Sequence, residues 1–230
     1  MPGVGRRISM VAMEAKKGIA VCFAMAEEAV AFRKLCGETA PIFFTGIGRE
    51  NAERTTRQFL VSHAPELLLT CGFAGGLVPE LKIGDVVYEI PADGGPEGYA
   101  AARAKLAGSG ARPAKIFCTD RIATTAKEKQ TLRERTGAEA AEMESGAVQA
   151  VCRERGIRCV TVRVISDTAN EDLPLDFNKF LNEDKSVDMS KLMMAVAKAP
   201  WKMGAMIALQ KNTKLAAQRL AEALARVVAG

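Results

Sequence analysis

The chain has 230 residues, 48% of them apolar and 26% charged, with a formal net charge of +5. This composition suits a folded chain with a full hydrophobic core and excludes a disordered one. The modest charge and 5% aromatic content give none of the clustered cations and stacking rings of a nucleic-acid surface, and no apolar run has the roughly 18–20 residues of a membrane-spanning helix.

Residues 1–17 carry Arg6, Arg7, Lys16 and Lys17 without the apolar stretch of a secretory signal. They read as a flexible extension, and the expected location is cytoplasmic. Residues 18–24 (GIAVCFA) read as a first buried strand and 26–35 as a helix. Residues 41–45 (PIFFT) are a strand, followed by Gly46-Ile47-Gly48 and a helix over about 50–62. Residues 66–71 read as a strand ending in a glycine-rich turn, with further strands at 85–90 and 115–119. The Gly-, Ala- and Pro-rich stretch 91–113 between them reads as a mobile loop with at most one short helix. A helix follows over 126–135, a strand-like segment ends near Met143, and a helix runs over about 145–155. Residues 158–166 (RCVTVRVIS) are a long buried strand. Residues 188–228 are helical, with a break at Ala199-Pro200. Strands alternating with helices predict one α/β domain over 18–230, a mixed sheet flanked by helices. Functional residues of such sheets gather where strands end.

The six cysteines show no C-x-x-C pair and read as buried free thiols. The single histidine, His63, and the lack of clustered cysteines argue against a zinc site, and the same count argues against Ser-His-Asp chemistry. It is expected to serve as a cation at a helix C-terminus.

Four segments end strands with polar or glycine residues: 25–28, 71–76, 142–145 and 166–167. Taken singly, each has an ordinary structural role. Glu27 and Glu28 favour the dipole of a helix start, as do Glu142 and Glu144. Gly72, Gly75 and Gly76 permit a tight turn, and Asp167 suits an N-cap.

In order along the chain, the motifs are Ala24-Met25-x-Glu27-Glu28, Thr45-Gly46-Ile47-Gly48 and Gly72-Phe73-Ala74-Gly75-Gly76-Leu77. Leu81-Lys82-Ile83-Gly84-Asp85-Val86-Val87, Glu142-Met143-Glu144-Ser145 and Arg163-Val164-Ile165-Ser166-Asp167 follow. From about residue 18 to 185 this resembles the methylthioadenosine/adenosylhomocysteine nucleosidases of the nucleoside phosphorylase superfamily. Phe73, the run Thr119-Asp120-Arg121-Ile122 and the tail after Pro200 resemble more closely the hopanoid-associated phosphorylase group. The resemblance implies a three-layer α/β/α sandwich with a central mixed sheet, and cleavage of the N-glycosidic bond of a purine nucleoside, a 5′-modified adenosine.

Breaking that bond leaves negative charge on the base and positive charge on the sugar. The family's general acid aligns with Asp167, whose protonation would need burial or a nearby carboxylate. Arg163, four residues earlier on the strand, is assigned orientation or structure. Glu144 matches the acceptor of the ribose hydroxyls, and Glu28 the carboxylate that deprotonates the attacking water. The resemblance places Ile47, Phe73, Ala74, Gly75, Ile122, Glu142, Met143, Ser166 and Phe177 around the substrate. Phe73 stands where the nucleosidases have serine, and Ile122 where they tend to have an aromatic over the base.

No metal or organic cofactor is expected. Inorganic phosphate stays open as an alternative nucleophile, with Gly48 and Arg49 as its candidate ligands. A catalytically silent nucleoside-binding protein is a further alternative. The expected partners are a small purine nucleoside and further copies of the chain in a homo-oligomer, with no nucleic acid. The basic, amphipathic helices after Pro200 suit packing on the domain or a partner subunit better than contact with an anionic membrane.

Overall fold

The computed structural model describes residues 18–92 and 95–228; the extension expected over 1–17 lies outside them. The order of elements is β1 (Ile19–Phe23), α1 (Ala26–Cys36), β2 (Ile42–Phe44), α2 (Arg49–Ser62), β3 (Leu67–Gly76), β4 (Val86–Glu89), α3 (Gly95–Gly98) and α4 (Ala100–Gly108). Then come β5 (Arg112–Pro113), β6 (Ile116–Cys118), α5 (Ala126–Thr136), β7 (Ala140–Glu142), α6 (Ser145–Glu154), β8 (Arg158–Asp167), α7 (Met189–Lys198) and α8 (Met203–Val228).

The strands form one mostly parallel sheet in the order β2-β1-β3-β8-β4-β5. β7 joins antiparallel to the end of β3, and β6 pairs with β7. Strand alternation sorts the core into two layers. Val21 and Phe23 point to the face covered by α1, α4 and α8, where Phe32, Leu106, Leu220 and Leu224 are buried. Ala20 and Cys22 point to the opposite face, under Ala52 and Leu60 of α2 and Val148 and Val151 of α6. β3 and β8 are buried along almost their whole length, as their largely apolar sequences require when helices cover both faces.

Three expectations need correction. The glycines of 72–76 do not leave the sheet in a turn. β3 continues to Gly76, because β8 pairs with one edge of it and β7 with the other. The register shifts between Ala74 and Gly75, so that Gly75 faces Asp167. Asp167 ends β8 and does not cap a helix. The stretch 91–113 holds two helices and a short strand, fixed by the burial of Ala102 and Leu106 of α4 under α8.

Helix ends follow capping chemistry. The Thr125 hydroxyl accepts the Glu128 N–H at the start of α5, and Gly137 closes that helix in the left-handed conformation. His63 follows α2, with its ring stacked on Phe59. The six cysteines are free thiols. No single described helix is long and apolar enough to cross a membrane. The C-terminal half of α8 is buried against the sheet face. α7 has no buried residue, and Met189, Met193, Met194 and Trp201 lie exposed.

Candidate active site

The C-terminal ends of β1, β3 and β8 and the corner between β7 and α6 enclose a cavity of about 230 Å³. Every catalytic and substrate-contacting residue named from the sequence lies on its wall. These are Glu28, Ile47, Phe73, Ala74, Gly75, Ile122, Glu142, Met143, Glu144, Ser166, Asp167 and Phe177.

Glu28 occupies the first turn of α1 and is 4% exposed. Its Oε2 accepts the Met25 N–H at 2.9 Å, which caps the helix, and its Oε1 accepts the Phe73 N–H at 3.0 Å, which ties the helix to β3. The structural and functional readings of this residue are therefore compatible. Burial pushes its carboxyl up, against the pull of the Met25 and Phe73 N–H groups. A β-carbon at Gly72 would come within 2.7 Å of Oε1, so glycine is required there by space.

Glu142 and Glu144 flank the start of α6 and differ sharply. Glu142 Oε2 accepts the N–H groups of Glu144 and Ser145 at 3.0 and 2.8 Å, and the Arg163 Nη2 at 2.5 Å. Its Oε1 accepts the Ser145 hydroxyl at 2.6 Å. Burial would raise this carboxyl, but Arg163 and these donors outweigh it and hold it below the ordinary range. Arg163 is 2% exposed and also donates to the Thr70 carbonyl at 2.6 Å. The pair is spent on itself and on the sheet, so Glu142 braces the site. Glu144 Oε1 accepts the Gly48 N–H at 2.8 Å. Burial, and after it the neighbouring Glu142, pushes the Glu144 carboxyl up to about 7.

Asp167 is held on both oxygens. Oδ1 accepts the Ser166 hydroxyl at 2.8 Å, and Oδ2 lies 2.6 Å from Nζ of Lys129. A β-carbon on the facing Gly75 would sit 3.2 Å from Oδ2, so that glycine leaves room for the carboxyl. Of the two conditions named for protonating Asp167, burial or a nearby carboxylate, the structure supplies the first, with a side chain 13% exposed. Its charged neighbour is the cation of α5.

The two suggested anion ligands make other contacts in this structure. The Gly48 N–H is taken by Glu144. Arg49 lies outside the cavity wall and points to Asp120 at 3.4 Å, with side chains 52% and 84% exposed.

Sequence reasoning missed Lys129, which is 0% exposed on the same cavity wall, as well as Leu173 and Leu209 there. The only signal for Lys129 was its place three residues before Leu132, on the one buried face of an otherwise polar helix.

A model of the phosphorylase superfamily matches residues 7–89 and 91–198. A 5′-methylthioadenosine/S-adenosylhomocysteine nucleosidase of Shewanella halifaxensis is 30% identical over 176 residues, 64% of this chain and 76% of that protein. The corresponding protein of Shewanella oneidensis is 31% identical over 175 residues, covering 64% and 74%. Among solved structures, the futalosine hydrolase of Helicobacter pylori superposes with a TM-score of 0.65 at 20% identity, over 92% of this chain and 97% of that one. The Neisseria meningitidis methylthioadenosine/adenosylhomocysteine nucleosidase in complex with methylthio-immucillin-A gives 0.65 at 21% identity, over 92% and 98%. These likenesses establish the α/β fold with its mostly parallel central sheet.

Proposed function

Starting from a chain that belongs to the phosphorylase superfamily, we propose that it hydrolyses the N-glycosidic bond of a purine nucleoside, a 5′-modified adenosine. The observation that carries this reading is the gathering of Glu28, Glu144 and Asp167 around one cavity whose cations are already committed. Water attacks C1′ and gives its proton to Glu28. The C1′–N9 electron pair leaves with the base, and Asp167 delivers to the purine N7 a proton that it takes up from solvent before the step, returning to the carboxylate held by Lys129 and Ser166. Glu144 accepts the ribose hydroxyls and faces the positive charge growing on the sugar.

The choice of water over phosphate rests on electrostatics. A phosphate dianion needs free cations or several N–H donors. Arg163 is bound to Glu142, the Gly48 N–H to Glu144, and Arg49 is turned outward. Three carboxyls would repel the dianion, whereas Glu28 has lone pairs left for a water. The 5′-modified adenosine is supported by the named activities of the relatives at about 30% identity.

A second reading concerns the size of the 5′ group. A groove of about 730 Å³ runs between α1 and α8 along the half-exposed Val30 and Leu35, and Phe73 forms part of both its wall and that of the cavity. A large apolar substituent, of the kind the hopanoid-associated resemblance implies, would reach this groove past Phe73. We also take the protein to be a homo-oligomer that covers the exposed apolar residues of α7. A monomer by light scattering would overturn that reading and return the face to an anionic lipid surface. The six cations and absence of acids over 189–221 suit such a surface.

The deciding experiment is adenine release from methylthioadenosine, adenosylhomocysteine and a lipid-linked adenosine, each with and without phosphate. Release from the small thioethers that ignores phosphate, and that Asp167→Asn lowers by at least ~10²-fold, is expected. A strict need for phosphate would overturn hydrolysis. Release from the lipid-linked substrate alone would favour the second reading, and binding without release from any of the three would make the protein a silent nucleoside binder.

A further inference from the structure

α5 has the sequence AKEKQTLRERT, and its buried residues are only Lys129 and Leu132. A wholly buried ammonium in so polar a helix calls for a cause, since removing it from water is costly unless partners replace the solvent. The partners are complete. The three N–H groups of Nζ have three acceptors: Asp167 Oδ2 at 2.6 Å, the Thr168 carbonyl at 2.6 Å and the Glu171 carbonyl at 2.9 Å. The two carbonyls belong to the segment that leaves β8, and Leu173 further along it lines the cavity. The carboxyl belongs to the residue that faces the leaving base in the hydrolytic reading.

We infer that Lys129 is a positioning residue for departure of the purine, acting through Asp167; the inference rests on that hydrolytic reading. Lys129 on Oδ2 and the Ser166 hydroxyl on Oδ1 leave the Asp167 carboxyl no freedom to turn, and Gly75 admits it closely from the facing strand. Holding a reacting group in one geometry is a large part of catalysis. The ammonium also lies one carboxyl group away from the base, inside a wall shielded from water. Negative charge moving onto the departing purine is opposed there by a fixed positive charge that needs no reorganisation. The two backbone bonds give Lys129 a purely structural task as well, and the experiment must separate the two.

Lys129→Met keeps the unbranched stem of the side chain and its burial without the charged tip, and Lys129→Ala leaves a slot for the missing propyl-ammonium portion. Both variants are expected to lose about 10²-fold in kcat for purine release, with KM changed by less than about threefold. Propylammonium in the buffer should restore Lys129→Ala by at least about tenfold, whereas propanol should not. Bound propylammonium would also return the donors to the Thr168 and Glu171 carbonyls, so the two tasks are told apart by the kinetic split: lost backbone anchoring alone would fall on KM and on melting temperature and leave kcat within about threefold. A kcat for Lys129→Met within about threefold of wild type, or a loss that propylammonium does not reverse, would overturn the inference while leaving hydrolysis intact. A wild-type protein that binds adenine yet releases none from any nucleoside would overturn the hydrolytic reading and this inference with it.

Discussion

Replacing Glu144 with glutamine keeps the shape of the side chain and removes its charge. In the folded protein, burial and the neighbouring Glu142 hold this carboxyl at about 7, against an ordinary value of 4.5. The fold therefore binds the proton more tightly than the unfolded chain does. The stability this contributes is complete below about pH 4.5 and is lost as pH rises through 7. Well above 7, the ionised group costs the fold at most about 3 kcal/mol relative to acid conditions. Glutamine escapes that cost and can still accept the Gly48 N–H. Its own amide N–H groups need partners, a penalty of about 1 kcal/mol. The net gain at about pH 9 is then about 2 kcal/mol, or about 4–8 °C in melting temperature for a domain of this size. At about pH 4.5 the variant should melt at or slightly below the wild type. Thermal melts of both proteins across this range test the argument. A difference in melting temperature that does not change with pH would refute the claim that desolvation and Glu142 raise the Glu144 carboxyl. The gain should come with a loss of adenine release of about 10²-fold, because the group that opposes folding is the one that faces the sugar in the proposed reaction.

Further outcomes follow from the same geometry. Glu144 must be ionised to accept two hydroxyls, so kcat/KM for methylthioadenosine should fall about tenfold per unit below about pH 7. A flat profile from about pH 5.5 to 8 would contradict that role. Gly72→Ala places a β-carbon 2.7 Å from Glu28 Oε1 and should displace that carboxylate. A loss of about 10²-fold in kcat with an intact circular dichroism spectrum is expected, and unchanged kcat would show that Glu28 has no part in the reaction. Phe73→Ala joins the cavity to the groove between α1 and α8. Preference should move about tenfold toward nucleosides with bulky apolar 5′ groups, at about 2 kcal/mol of stability. Competition between methylthioadenosine and a long-chain thioether would reveal no change if Phe73 does not divide the two spaces.

Much of this architecture was legible in the sequence, because the strands are short apolar runs and the candidate site residues stand at their ends. Glu28, Glu144 and Asp167 were found from motifs, and the fold brings them to one cavity. What escaped depends on contacts between distant segments. Lys129 looks like any solvated lysine among the charges of α5, and only the approach of β8 gives it a carboxylate. Arg49 looked like an anion ligand from its place after two glycines. The corner at Glu144 took the Gly48 N–H, and Asp120 drew the guanidinium outward. The glycines of β3 read as a turn by composition, since pairing with β7 and β8 is invisible locally. The helices within 91–113 were obscured because a run of alanines gives little contrast between buried and exposed faces.

β3 also acts as a ruler. Gly72 abuts the carboxyl of Glu28 and Gly75 that of Asp167, so three residues of strand, about 10 Å of backbone, set the span between the two ends of the proposed reaction. Helices may drift over evolutionary time, and the connection between α1 and β2 can lengthen, without altering that span. One codon inserted between Gly72 and Gly75 would change it by about 3.3 Å, far beyond the ~0.5 Å that a reacting constellation tolerates. Length polymorphism among descendants of this chain should therefore collect in its outer loops and spare these four residues, even in lineages whose substrate has changed.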